Sequence, residues 1–258
     1  MLCRDIMEVI ETTYPKHAAL EWDNVGLLVG RTEKEVKKIY VALDATDEVI
    51  DAAILSGADM LITHHPLLFS PLKKITDEHV IGGRVVRLLQ HDISYYAMHT
   101  NYDVLGMAEL SGAILGLNDM EVLEVTDSEQ MDGIGRVGEL SEEMTLQECC
   151  DLVKEKFELS GVKVFGDLEQ RVKRVAISPG SGKHMTELAL TKGAEEFVTA
   201  EIDHHEGIDA VARGVAVIDA GHYGLEHIFI KDIADFLQVK LREIKVITAP
   251  NKHPFQLV

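Results

Sequence analysis

The sequence predicts an α/β protein built from two similar αβ domains produced by internal duplication, with mixed, largely parallel sheets flanked by helices. Three observations carry this. First, segments of the two halves match at a constant offset of 136 residues, with identities at Val36/Val172, Lys37/Lys173, Ala53/Ala189, Gly57/Gly193, Ala58/Ala194 and Thr63/Thr199. Second, short apolar runs of strand type alternate with segments of helical apolar spacing, the pattern of strand–crossover–strand units. Third, a chain of 258 residues that is 46% hydrophobic can bury one large core or two modest ones.

Taken in order, Ile6, Val9 and Ile10 place a helix over residues 1–14, stopped near Pro15. Trp22 to Gly30 reads as a turn and a short strand, and Lys38–Leu43 as a strand. Val49, Ile50, Ala53 and Ile54 mark a helix from Asp44 to Ser56, with Asp44 or Thr46 as cap and Gly57 as stop. Met60–Thr63 is a short buried strand parallel to its predecessor, followed by a helix over 78–91 and a strand over Ser94–Met98. The connecting region, 119–171, carries strands at Glu121–Val125, Arg136–Leu140 and Val162–Phe165. Within it, Thr145-Leu-Gln-Glu148 is a capping box that opens a helix. The second half repeats the first: a strand over Arg174–Ser178, a tight turn at Pro179-Gly-Ser-Gly182, a helix over Lys183–Lys192 and a strand over Glu196–Thr199. A helix over Ile208–Arg213 and a strand over Ala216–Asp219 complete it. The expected domains are 1–118, with 245–258 packing back on it, and 119–244.

A formal charge of −19 repels phosphate backbones and attracts cations, so nucleic acid is disfavoured as a partner. No apolar stretch is long enough to span a bilayer, and the N-terminus lacks the pattern of a signal peptide. The cysteines are Cys3, Cys149 and Cys150, an odd number with two adjacent, which fits packing thiols in a reducing compartment. A cytoplasmic location is expected.

The chain has twelve histidines, and most of them (64–65, 91, 99, 184, 204–205, 222 and 227) cluster at the ends of predicted elements. His64-His65-Pro66 follows the strand Met60–Thr63, where the chain leaves the pleat and two adjacent imidazoles can diverge. Carboxyl ends of parallel strands are also where open α/β sheets place ligands. His99 and Asp103 follow another strand end, as do His222 and Glu226, and i, i+4 spacing brings each pair to one side of a helical turn. Each motif alone is weak evidence and reads more readily as capping or solvent-facing side chains. Their recurrence in related halves points to a metal site formed where the halves converge. Histidine and carboxylate ligands without cysteine suit Zn, Mn, Fe or Co. The set His64, His65, Asp103, His222 and Glu226 is too large for one catalytic ion and fits two divalent ions, with Glu226 as the natural bridge.

His64-His65-Pro66, His99-Thr-Asn-Tyr-Asp103 and Asp219-Ala-Gly-His222-Tyr-Gly-Leu-Glu226 resemble the three signatures of the NIF-three-like dinuclear-metal family, whose bacterial members are called GTP cyclohydrolase I type 2 homologues. Trp22–Gly30, Gly135-Arg-Val-Gly138 and Lys183 to Thr199 are similar to the family pattern as well. The resemblance implies two similar α/β domains and a ring-shaped hexamer, a trimer of dimers. It also implies two metal ions per subunit, held at His64, His65, Asp103, His222 and Glu226. The inserted domain of longer members is replaced by the short 119–171 stretch. Where many members have Gly-Asp-Ile-Lys-Tyr-His, this chain has Ala200-Glu-Ile-Asp-His-His205, with Asp203 in place of the lysine and His204 in place of the tyrosine; if that lysine holds an anionic substrate, the exchange weakens the case for a nucleotide. His253-Pro-Phe255 stands for Asp-Pro-Phe.

Other residues carry more than one reading. His99 orients a ligand, moves protons or packs. Glu201, at the place of His65 in the repeat, faces the same cavity or is a solvated or capping group, and His205 has the same readings as His99. Pro179–Gly182 lacks the Gly-Lys-Ser/Thr ending of a phosphate-binding loop, and Asp23 and Asn24 line the cavity or cap a turn. Two functions follow. One is a metal-dependent hydrolase of the GTP cyclohydrolase type, acting on a small molecule such as a nucleotide. The other is a hexameric metal-binding scaffold or regulatory protein without turnover, whose ions would lack an open coordination position.

Overall fold

The chain alternates helix and strand: α1 (Cys3–Thr13), β1 (Gly26–Val29), β2 (Lys38–Ala42), α2 (Asp47–Ser56), β3 (Met60–Thr63), α3 (Val80–Gln90), β4 (Ser94–Ala97) and α4 (Thr100–Tyr102). A π-helical turn (Asp103–Met107) leads to α5 (Ala108–Leu115), β5 (Asn118–Asp127), β6 (Asp132–Thr145), α6 (Leu146–Lys156), β7 (Lys163–Phe165) and β8 (Arg171–Ser181). Then come α7 (Met185–Thr191), β9 (Glu196–Glu201), α8 (His204–Ala212), β10 (Ala216–Asp219), α9 (His222–Glu226), α10 (Ile228–Lys240) and β11 (Lys245–Thr248). This computed structural model describes residues 1–256. It divides into two units, Met1–Tyr102 with Phe229–Lys252, and Asp103–Ile228 with the described residues from His253. No helix among the described residues is long and apolar enough to cross a membrane.

The first unit holds a five-stranded sheet in the order β1-β4-β3-β2-β11, parallel except where β1 runs against β4. Alternation along the strands sends Tyr40, Leu61, Tyr95 and Ala97 into one core with Ile50 and Ala53 of α2 and Val85 and Leu88 of α3. On the other face the Tyr96 hydroxyl donates to Glu11 of α1 at 3.1 Å. Thr46 caps α2, its Oγ1 accepting from Val49 N at 3.2 Å, so of the two candidate caps Asp44 is released for another role. Gly57 ends the helix at φ 66°, a conformation that strains a residue with a Cβ.

The second unit holds a six-stranded sheet in the order β5-β6-β8-β9-β10-β7. The expected capping box is present, with Thr145 Oγ1 accepting from Glu148 N and Glu148 Oε2 accepting from Thr145 N. α6 packs Leu146, Cys149 and Val153 against one sheet face, and Phe197 and Val217 fill the core on the other. The strand order β7-β10-β9-β8, with β7 antiparallel and the rest parallel, matches β1-β4-β3-β2 of the first unit.

Several boundaries differ from the sequence expectation. Pro179 and Gly180 do not form a free turn: β8 continues to Ser181 through a register shift, where a bulge tolerates a residue without an N–H and Gly180 takes φ 80°. The helix expected over Ile208–Arg213 begins four residues earlier, at His204. The strands expected at Glu121–Val125 and Arg136–Leu140 are the middle of one long antiparallel hairpin.

Candidate metal centre

Sheet order decides which residues of the first unit meet. β2, β3 and β4 are adjacent and parallel, so their carboxyl ends lie side by side. Asp44 follows β2, His64 and His65 follow β3, and Met98 and His99 follow β4. His65 N donates to Leu43 O at 3.0 Å, and Met98 N donates to Thr63 O at 2.9 Å, which extends the ladders into the loops. The Tyr95 hydroxyl locks the turn, donating to His65 O at 2.9 Å while accepting from Leu67 N at 2.8 Å.

The three imidazoles form a cluster. Ring centroids are 4.9 Å apart for His64 and His65, 5.2 Å for His64 and His99, and 5.7 Å for His65 and His99. One ring nitrogen of each lies within 4.8 Å of the others, an arrangement that could hold a metal ion. The hydrogen bonds test whether the chemistry fits. His64 Nδ1 is 2.8 Å from the carbonyl oxygen of Met98, which can only accept. His65 Nδ1 is 2.8 Å from Asp44 Oδ1, and His99 Nδ1 is 2.9 Å from Asp23 Oδ1. In each ring Nδ1 therefore carries the proton, and a neutral ring presents its lone pair at Nε2. A proton donated from one nitrogen to a carboxylate or carbonyl is the arrangement that orients metal-binding histidines and raises their basicity.

Asp23 shows how firmly His99 is held. Its side chain is fully buried, and its other oxygen accepts from Thr100 N at 2.9 Å and Thr100 Oγ1 at 2.6 Å. Burial alone would raise this carboxyl, but the hydrogen bonds from His99 and Thr100 outweigh it and hold the group at about 2. It is anionic throughout the neutral range. His64, wholly buried, is flanked by Phe229 at 5.1 Å and Tyr102 at 6.1 Å.

In the second unit, Asp103 opens the π-helical turn, a distortion that often re-aims side chains at functional sites. His222 and Glu226 sit one turn apart on α9, as their spacing implied, with His222 Nε2 3.0 Å from Glu226 Oε2. Glu226 is 2% exposed, and Gly180 makes room for it: a Cβ at that position would meet Glu226 Oε1 at 3.0 Å. Glu201 ends β9 with its carboxylate 3.5 Å from His222 Nδ1, and His205 lies exposed at the start of α8. The shared His-x-x-x-carboxylate spacing equates His99 with His222, and the sheet registers correct that equivalence. Thr63 pairs with Ala97 and Thr199 with Asp219, so two residues beyond each strand stand His99 and Gly221. His222 falls one place later and is not the register partner of His99.

Sequence reasoning offered Asp44 as one of two helix caps and Asp23 as either lining the cavity or capping a turn, and gave neither a histidine to hold. Both are the acceptors that fix His65 and His99: Asp44 stands two residues beyond the end of β2, and Asp23 in the turn that precedes β1.

A family model described as Duf34/NIF3 (NGG1p interacting factor 3) matches residues 1–254. The chain is 34% identical over 262 aligned positions to a GTP cyclohydrolase 1 type 2 homolog of Clostridium perfringens, covering all of both chains. It is 37% identical to the protein of that name from Clostridium acetobutylicum, covering 86% of this chain and 84% of the relative. A Bacillus cereus protein related to NIF3, of known crystal structure, superposes with a TM-score of 0.93 at 27% identity over 100% of this chain and 99% of its own. Three proton-locked histidines at the ends of parallel strands and a whole-length match lead to one conclusion: the chain belongs to the Duf34/NIF3 family.

Proposed function

We propose that the protein is a metal-dependent hydrolase that holds two divalent ions through His64, His65, Asp103, His222 and Glu226. The observation that carries this reading is the pair of adjacent imidazoles in the first unit, His64 and His65, each with its Nδ1 proton committed to an oxygen and its Nε2 lone pair left to a ligand's role, with His99 oriented in the same way beside them. The buried Glu226 carboxylate beside His222 supports it from the second. Two divalent ions held by these groups would supply Lewis-acid chemistry there, activating water at neutral pH and polarising a carbonyl, imine or phosphoryl group. His99 takes up and returns a proton at Nε2, its ring fixed by anionic Asp23. The relatives' name supports a GTP cyclohydrolase type of reaction, hydrolysis of a purine ring. We further propose a hexamer, which sedimentation would register as a particle six times the 28.6 kDa chain.

The test is metal analysis of natively purified protein with a hydrolysis screen of GTP, other nucleotides and phosphoesters. Glu226→Gln should lose metal and activity together. His99→Ala should keep its metal and lose activity by about 100-fold or more, the usual worth of a positioned proton carrier. A metal-loaded protein that leaves every substrate unchanged overturns the hydrolase reading.

A further inference from the structure

We propose that Trp22 and Phe69 receive a planar heteroaromatic ring, of the size of a purine, beside His99. Both side chains are largely in water, at 62% and 52% exposure, although they are among the largest apolar groups of the chain. Isolated exposed aromatics are ordinary. Here two converge on one imidazole. Trp22 stands edge-on to His99 with ring centroids 5.9 Å apart, and Phe69 does so at 5.6 Å.

Their exposure is built in rather than a consequence of loose loops. Trp22 lies in a turn closed by Asp23 N donating to Leu20 O at 2.9 Å. The turn is tied on one side by Leu20 N to Thr100 Oγ1 at 2.9 Å and on the other by the Asp23 carboxylate to His99 and Thr100. Phe69 follows Leu68, whose carbonyl accepts from Asn24 Nδ2 at 2.5 Å, and Leu67, whose N–H is held by Tyr95. The same turn that fixes His99 thus presents Trp22, and Asn24 of that turn anchors the segment that presents Phe69. Aromatic faces prepared in advance bind a flat ring with little ordering cost, and they favour a π system over a sugar or an aliphatic chain.

A protein partner would cover the same two rings, but it would also close off His99. The assignment of a small ring therefore rests on the hydrolase reading, in which His99 must stay accessible to substrate.

Trp22 is the chain's one tryptophan, so its fluorescence reports on this place alone. Guanosine titrated into the native, metal-loaded protein should quench the emission saturably, and ribose, which lacks the ring, should not. Phe69→Ala should weaken guanosine binding roughly 5- to 100-fold, the range for loss of one stacking partner, and Phe69→Tyr should restore it. The proposal is overturned if guanosine leaves the emission unchanged, or if Phe69→Ala binds as tightly as the parent. It is also overturned if the native emission is already blue-shifted and insensitive to acrylamide, the mark of a ring covered by another subunit. Saturable quenching without any hydrolysis would sink the enzyme reading and leave the ring site standing. Hydrolysis of a substrate that causes no quenching would do the reverse.

Discussion

Replacing Glu196 with glutamine should remove a large pH dependence from the stability of this protein. Glu196 opens β9 and shares a sheet face with Val198 and Ala200, which pack against Cys149, Cys150 and Val153 of α6. Its side chain is wholly buried. The Cys149 thiol lies against the carboxyl, but neither carboxylate oxygen accepts a hydrogen bond of normal geometry from the described residues. Burial therefore dominates and pushes the carboxyl from 4.5 up to about 8, the thiol opposing it weakly. The same burial, with Glu196 nearby, raises the Cys150 thiol to about 11 and Cys149 further still.

The sign follows from proton counting. Below pH 4.5 the carboxyl is protonated in both states and costs nothing extra. Between 4.5 and about 8 the unfolded chain releases the proton and the folded one keeps it, so stability falls as pH rises, by about 1.4 kcal/mol per pH unit. The accumulated loss reaches about 5 kcal/mol near pH 8 and then levels off, because above that pH both states are ionised. Glu196→Gln keeps the shape and cannot ionise. Urea unfolding of both proteins followed by circular dichroism, at half-unit steps from pH 5 to pH 7.5, gives the comparison. Taking the difference cancels every titration the two share, including that of the metal ligands. The variant should gain about 3 kcal/mol on the parent across that interval, whatever the offset from burying an amide. A difference that stays flat with pH would show that Glu196 ionises inside the fold at its ordinary value, and the account of its environment would be wrong.

Other substitutions test the candidate centre. Asp44→Asn leaves His65 without its carboxylate acceptor and should weaken metal binding about 10- to 100-fold in competition with a chelator, as loss of such orienting groups does; unchanged affinity would deny His65 a ligand's role. Gly180→Ala places a Cβ at φ 80° and 3.0 Å from Glu226 Oε1, so a loss of about 1–2 kcal/mol and a reduced metal content are expected from thermal unfolding and metal analysis. A variant as stable and as metal-rich as the parent counts against Glu226 filling that space. Tyr95→Phe strands the buried Leu67 N–H and takes a donor from His65 O, at a cost of about 1–3 kcal/mol in denaturant melts.

What the sequence made legible was local. β3 ends at Thr63 and His64-His65 leaves the sheet there, because a short buried run closed by Pro66 has few other solutions. The capping box at Thr145 and the Gly57 stop are signals carried within four residues, and both were readable. His222 and Glu226 share a helical turn because i, i+4 spacing fixes it. The acceptors were not legible. Asp23 lies 76 residues from the histidine it holds and Asp44 lies 21 from its own, and no spacing rule reaches across a fold. Pro179-Gly180 misled for a related reason: the pair marks a turn in isolation, and only pairing with β9 turns it into a bulge whose missing Cβ admits Glu226.

Ligand side chains are recognisable in the sequence because metal chemistry restricts their type. Their acceptors are interchangeable in type, here a backbone carbonyl and two carboxylates, and are specified only by the sheet. Strand order puts β2, β3 and β4 side by side, so Asp44, the His64–His65 pair and Met98 with His99 arrive together without a dedicated loop. The turn before β1 adds Asp23, closed by hydrogen bonds from His99 and Thr100. Each imidazole is then held by folding energy rather than by an ion, with the tautomer and ring plane set in advance. A centre built this way carries little ordering cost when an ion arrives. If the centre holds the proposed ions, their identity would be set by the geometry the strand ends impose and by the supply of metal, since histidine and carboxylate donors alone discriminate poorly among first-row ions.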